Sequence, residues 1–241
     1  MRSIVIINPA ARRRSQLSNF FALIMIVGSL AIFGPSAPLL ARQSSSTQSA
    51  ELKSLLARLQ RHYQQTNSFS ASFKQTVARV GAPPQSRSGK VLYLKPGRVR
   101  FDFGDPQPET IVSDGKLLYD YDPGLNQVME TPLKNAIKTQ AVAAFLLGVG
   151  NVERDFTASQ LATPANDGLI HLLLQPRHGG DDIELALQAH SLDIASLKLA
   201  DALGNVTNIS FTDLKPNVAI APSQFEFEPP AGADVVTSGS H

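Results

Sequence analysis

The chain has 241 residues, 43% of them apolar and 17% charged, with a formal net charge of +2 and no cysteine. This composition excludes a disulfide scaffold, a thiolate metal site and lipid attachment at an N-terminal cysteine, and it is too apolar for a disordered chain. No basic patch with interleaved aromatics occurs, so no nucleic-acid partner is expected.

In chain order, Arg12, Arg13 and Arg14 precede an apolar run from Phe20 to Phe33, closed by Gly34, Pro35 and small residues. This is the layout of a secretory signal, and an apolar core of roughly 14 residues is short of the ~20 that a membrane-spanning helix needs. Cleavage is expected after Ala41, with Ala37 as the other choice. The general export route is preferred to the twin-arginine route, because no Phe-Leu-Lys follows the arginines. Removing residues 1–41 takes away Arg2 and Arg12 to Arg14 and no acid, so the charge falls by four, from +2 to −2. The expected organisation is a signal peptide over 1–41, a flexible Ser/Gln-rich segment over 42–48, one domain over 49–236 and a short tail over 237–241.

Leu52, Leu55, Leu56, Leu59 and Tyr63 recur at helical spacing, with Ser49 placed as N-cap and Glu51 in the first turn, so a helix opens the domain. The period then changes to two. Phe69, Ala71, Phe73 and Val77 share one parity, as do Val91 and Tyr93, then Val99, Phe101 and Phe103, while Arg98, Arg100 and Asp102 take the other face. Strands are predicted over Phe69–Val80, Gly89–Lys95, Arg98–Phe103, Glu109–Ser113 and Lys116–Tyr121, the last two joined at Asp114-Gly115 by a type I′ turn. A short strand over Gln127–Glu130 gives way to a helical region with Thr131 as N-cap and Pro132 at its first position. From Ala136 to Leu147 an apolar stripe includes Ile137, Phe145 and Leu147, with Gly148 as a C-terminal stop. Further strands are predicted around Val152–Ala158, Leu169–Gln175, Ile183–Ala189, Ala195–Asp201 and Asn205–Asp213. Phe225 and Phe227 alternate with Glu226 and Glu228 until Pro229-Pro230 ends the pairing. The pattern is a mainly β, α+β chain whose curved antiparallel sheet has one apolar face.

Catalytic chemistry finds no footing. There is no Gly-x-Ser-x-Gly elbow and no cysteine nucleophile, and His62, His171, His178, His190 and His241 lack a metal-ligand spacing. His62 reads as exposed on the first helix. Asp120 with Asp122, and Asp181 with Asp182, are paired carboxylates, but Asp122-Pro-Gly and Gly179-Gly180-Asp181 are turn chemistry. No catalytic residue, metal or cofactor is expected.

The run Gly89-Lys-Val-Leu-Tyr-Leu-Lys-Pro-Gly-Arg-Val-Arg-Phe-Asp-Phe103 followed by Ile111-Val-Ser-Asp-Gly-Lys-Leu-Leu-Tyr-Asp-Tyr-Asp-Pro123 resembles the periplasmic outer-membrane lipoprotein carrier family of the LolA type. Ser68-Phe-Ser-Ala-Ser-Phe-Lys-Gln75, Phe145-Leu-Leu-Gly148 and Phe225-Glu-Phe-Glu-Pro-Pro-Ala-Gly232 extend the likeness over roughly residues 49 to 236. The resemblance implies an incomplete, strongly curved antiparallel half-barrel with a helical lid over an apolar cavity. It implies a non-enzymatic, monomeric periplasmic chaperone. Its cargo would be acylated lipoproteins, received from an inner-membrane ABC-type release complex and delivered to an outer-membrane acceptor. A carrier or sensor of another lipid or amphiphile, using the same half-barrel, is the alternative. Phe69, Phe73, Val91, Tyr93, Val99, Phe101 and Phe103 are the expected cavity wall, and Ile137, Val142, Phe145 and Leu146 the lid. A cavity wall and an ordinary core read alike in sequence, so both readings stay open for these positions. Lys95 falls where the family normally carries an arginine that holds the lid through bonds to helix backbone. Lysine offers a point charge in place of a planar fork, and it is either a differently built latch or a solvated turn residue.

Overall fold

The computed structural model describes residues 41–138, 150–162 and 167–237. Helix α1 (Ala41–Gln65) leads into a meander of β1 (Ser68–Ala78), β2 (Gln85–Leu94), β3 (Arg98–Phe103), β4 (Glu109–Asp114), β5 (Leu117–Asp122) and β6 (Gln127–Pro132). The short helices α2 (Leu133–Lys138) and α3 (Val152–Asp155) precede a second meander. It comprises β7 (Phe156–Gln160), β8 (Leu169–Pro176), β9 (Asp182–Gln188), β10 (Ile194–Ala200) and β11 (Val206–Pro216). A 3-10 turn (Pro222–Phe225) and β12 (Asp234–Thr237) complete the described chain.

All twelve strands form one sheet in the order β12-β6-β5-β4-β3-β2-β1-β11-β10-β9-β8-β7. Pairing is antiparallel throughout, except that β12 runs parallel to β6. The two meanders meet at β1 and β11, where Phe73 lies opposite Phe211. Laid flat, β2 and β7 would stand six strands apart, about 29 Å at ~4.8 Å per strand. Yet the last turns of α1, itself only ~10 Å wide, touch the chain at both places. Tyr63 and Gln64 offer carbonyls to Lys95 after β2, and Gln60 accepts from the Val152 N–H just before β7. The sheet therefore curls around α1. Bulges help it bend: the β1–β11 register slips between Ser70 and Ser72, and β10–β9 slips between Ile194 and Ser196. At Gly89 a Cβ would lie 2.0 Å from the Asp102 carbonyl oxygen, so β2 and β3 approach as only glycine permits.

The core lies inside the curl. Leu55, Leu56, Leu59 and Tyr63 of α1 pack into one apolar cluster with Phe73 and Val91 of the first meander and Leu172, Leu185 and Leu197 of the second. Outside it, the 3-10 turn crosses β3 and β4, with Phe225 1% exposed, and Phe227 packs 5.4 Å from Tyr119 and 6.0 Å from Tyr121 between ring centroids.

Several expectations change. Among the described residues helix α1 covers Ala41–Gln65, so Ser49 lies within it and not at its N-cap. Asp114-Gly115 does join β4 to β5, but of the two only Gly115 has positive φ (97°), which a type I′ turn would need at both. Asp114 instead takes the N–H groups of Lys116 and Leu117 on its carboxylate. Thr131 and Pro132 belong to β6, and the helix begins one residue later, at Leu133. Val152–Asp155 is a helical turn capped by Asn151, which accepts from the Arg154 N–H, and the strand starts only at Phe156. Phe225 and Phe227 lie outside any strand, because they cover the outer face rather than extend the sheet.

Candidate functional site: the inner face of the curled sheet

Strand register sets the inner face in rows. Phe69, Tyr93, Val99, Ser113 and Leu118 align across β1 to β5 in one row. Ala71, Val91, Phe101, Ile111 and Asp120 make the next, and Phe73, Gly89, Phe103 and Glu109 a third. All seven residues expected on an apolar wall fall in these rows. Phe73, Val91, Tyr93, Val99 and Phe103 are buried, whereas Phe69 and Phe101 are partly buried against the cluster. Their rings interlock: Phe73 meets Phe101 and Phe103 edge to face at 5.3 and 4.9 Å, and Phe69 lies 5.1 Å from Tyr93. Arg98 and Arg100 point to the other face, as their parity requires. There Arg100 pairs with Asp102 at 2.8 Å and donates to the Gln224 carbonyl.

Of the expected lid residues, Ile137 lies in the backbone of α2, and Val142, Phe145 and Leu146 lie outside the described residues, as does Gly148.

Lys95 is not a free turn residue. Its Nζ donates to the carbonyls of Tyr63 (2.6 Å) and Gln64 (2.9 Å), two of the last-turn oxygens that a helix leaves without internal partners. The Lys95 N–H also donates to the Asn67 carbonyl, so backbone and side chain together tie the end of β2 to the end of α1. Partial burial lowers the lysine pKa from its ordinary value. On the far side of the same turn of helix, Tyr63 Oη accepts from the Ile194 N–H, and burial pushes its phenol pKa up. His62, expected to be exposed, pairs with Asp193 at 3.0 Å. The curl brings β10 round to a helix face that looked solvent-facing in sequence.

Sequence reasoning missed a polar group on the inner face. Arg87 forms a hydrogen-bonded ion pair with Glu109, donates to Gln75 Oε1 at 3.0 Å and lays its guanidinium 4.1 Å from the centroid of Phe103. Glu109 and Asp120 lie close enough for each carboxyl to act on the other. Burial raises the Glu109 pKa against the opposing pull of Arg87. Burial, with Glu109 beside it, pushes Asp120 up to about 8. Asp122 next door is turn chemistry as expected, accepting from the Gly124 and Leu125 N–H groups. The signal for Asp120 was its parity with Leu118. It was masked by Tyr119 and Tyr121, whose bulk suggests an inner face but which lie under Phe227.

A family model described as "Outer membrane lipoprotein carrier protein LolA" matches residues 64–228. An outer-membrane lipoprotein carrier protein of Methylobacillus flagellatus is 35% identical over 182 residues, covering 74% of this chain and 86% of its own. One of Bordetella pertussis is 34% identical over 213 residues, covering 87% and 95%. Among solved structures, an uncharacterized conserved protein from Thermus thermophilus superposes with a TM-score of 0.51 at 14% identity, over 78% of this chain and 99% of its own, a likeness of fold alone. With the family model covering more than half of it and both relatives above 30% identity, the chain belongs to the LolA family of outer-membrane lipoprotein carrier proteins.

Proposed function

We propose that this chain is a periplasmic carrier that takes up the acyl chains of lipoproteins released from the inner membrane and delivers them to the outer membrane. The observation that carries this reading is the inner face itself, an apolar surface continuous from β5 to β8 inside a curled sheet, in a chain of this family. Each buried methylene contributes ~0.8 kcal/mol, so three acyl chains correspond to something on the order of 35 kcal/mol when hidden from water. Unaided crossing of an aqueous compartment is closed to such a cargo. A carrier must shelter the chains and still release them, and neither step makes or breaks a covalent bond. Phe69, Phe73, Val91, Tyr93, Val99, Phe101 and Phe103 form the wall in this reading. Ile137, Val142, Phe145 and Leu146 cover it, and Lys95 is the latch that couples α1 to the β2–β3 turn. The donor is an ATP-driven inner-membrane release complex and the acceptor an outer-membrane lipoprotein receptor. Native mass spectrometry of the protein, after incubation with inner-membrane vesicles that hold a triacylated lipoprotein and its release machinery, tests this. A soluble one-to-one complex is expected. Recovery of the protein empty, or loaded with a smaller lipid in place of the lipoprotein, would overturn it.

A further inference from the structure

The β1–β2 and β10–β11 hairpin loops stand side by side at one end of the sheet. The Val80 N–H donates to Asn205 Oδ1 at 3.3 Å, and a Cβ at Gly204 would lie 3.3 Å from Val80 Cγ2. Residues 80–86 and 202–204 carry no charge. At the points of the loops Val80 and Leu203 are 73% and 74% exposed, more than any other large apolar side chain among the described residues. Single apolar residues on a surface are common, but here two are held together on adjoining loops. The one acid of these loops, Asp201, is spent on its own turn, where it accepts from the Leu203 N–H and from the backbone and side chain of Asn205.

Behind the loops lies the outer face of β10, β11, β1 and β2. Ser70, Ser72, Lys74 and Thr76 alternate with the inward Phe69, Ala71 and Phe73, so they point out. Register sets one lysine in each of four successive rows: Lys198 in line with Thr76, Lys74 itself, Lys90 beside Ser72 and Lys215 beside Ser70. The rows step about 7 Å apart, within the ~8 Å over which charges act on one another at physiological salt. No acid occurs in β10, β1 or β2, and β11 has only Asp213. At the margins Glu184 of β9 pairs with Lys198, and Asp102 of β3 with Arg100. With residues 1–41 removed the chain is net negative, so this strip runs against the sign of the whole.

We propose that this end and this face dock the protein on an anionic lipid bilayer, with Val80 and Leu203 entering the interfacial layer and Lys74, Lys90 and Lys215 lying over the head groups. A protein partner fits the surface less well. Protein interfaces are depleted in lysine and serine and are anchored by aromatic residues and arginine, whereas the positions between these lysines are mostly Ser, Thr or Asn. A bilayer requires no shaped anchor. Apolar side chains enter it to a shallow depth, and each basic residue adds to the attraction of anionic head groups. Because the docking face is the opposite side of the sheet from the inner face, docking is separable from acyl uptake.

Co-sedimentation of the mature protein, lacking residues 1–41, with lipid vesicles tests this. Vesicles of roughly one-third phosphatidylglycerol in phosphatidylcholine are expected to bind it at least about tenfold more tightly than pure phosphatidylcholine at low salt, with the difference lost at high salt. The triple variant Lys74→Gln, Lys90→Gln, Lys215→Gln should reduce that preference to about twofold, and Val80→Ser with Leu203→Ser should weaken binding to anionic vesicles about tenfold. Since the chain has no tryptophan, Leu203→Trp supplies a single reporter, whose emission should shift to the blue on anionic vesicles and be quenched by lipid brominated in its acyl chains. Equal binding to both vesicle types, binding to neither, wild-type binding by both sets of variants, or a reporter that stays in water would overturn the docking. Where lipid vesicles fail but inner-membrane vesicles with their proteins retain the wild type and not the lysine variant, the face belongs to a protein partner instead. Cargo uptake measured in the same variants is expected to be unchanged, which keeps failure of docking distinct from failure of the carrier reading.

Discussion

Lys95 caps α1 with a point charge. Its two bonds reach adjacent carbonyls, a task for which a rotatable ammonium with three donors suffices and a planar fork is not needed. Lys95→Leu is expected to lower stability by about 1–3 kcal/mol, from the loss of charged hydrogen bonds at a helix end, and to slow cargo release; urea denaturation and a transfer assay check the two effects. Lys95→Arg should retain most of both, and a wild-type urea midpoint in Lys95→Leu would make the bonds incidental. Asp120 gives a second test. Its folded pKa of about 8 lies above the ~3.9 of an unfolded chain, so the folded state holds the extra proton between those values. The stability from this group is complete below about pH 4 and is lost as pH rises through about 8. Wild type should thus lose stability relative to Asp120→Asn across pH 5 to 8. Parallel urea midpoints over that range would mean Asp120 is ionised in the fold.

At the scale of elements, the two faces of the first meander separate stability from uptake. Phe225 is 1% exposed on the outside, so Phe225→Ala should cost about 3–5 kcal/mol and leave uptake by the remaining folded protein unchanged. Val99→Glu sets a charge on the inner face and should abolish uptake while the sheet persists by circular dichroism. Uptake by a folded Val99→Glu protein would remove Val99 from the wall. The strands of this meander were legible because period two survives wherever one face is buried, as from Phe69 to Phe103. Where both faces are covered, period two does not tell the inner face from the outer. Tyr119 and Tyr121 match an inner-face pattern, yet they pack beneath a segment a hundred residues away, and no local signal announces such a cover. Phe225 and Phe227 failed for the complementary reason: alternation marks burial on one side, and a lone segment lying on a sheet shows it as well as a strand does. The pairing of His62 with Asp193 depends on a tertiary contact that only the curl creates.

For the whole molecule, the central fact is that β1 is paired on one side with its sequence neighbour and on the other with nearly the last strand of the chain. Each meander is built from local hairpins, whereas Phe73 and Phe211 meet across about 140 residues. Closing so long a loop makes this seam the slow contact. Pulse-labelled hydrogen exchange during refolding should show amides of β3 to β5 and of β8 to β9 protected before the β1–β11 bonds; simultaneous protection of all of them would contradict the two-part assembly. The seam also matters before the chain is finished. At ~5–20 residues per second a ribosome delivers β11 on the order of ten seconds after β1. Through that interval the longest strand of the first meander has a bare edge, and the inner face cannot close. A nascent chain kept in this half-sewn condition stays pliable enough to be threaded lengthwise.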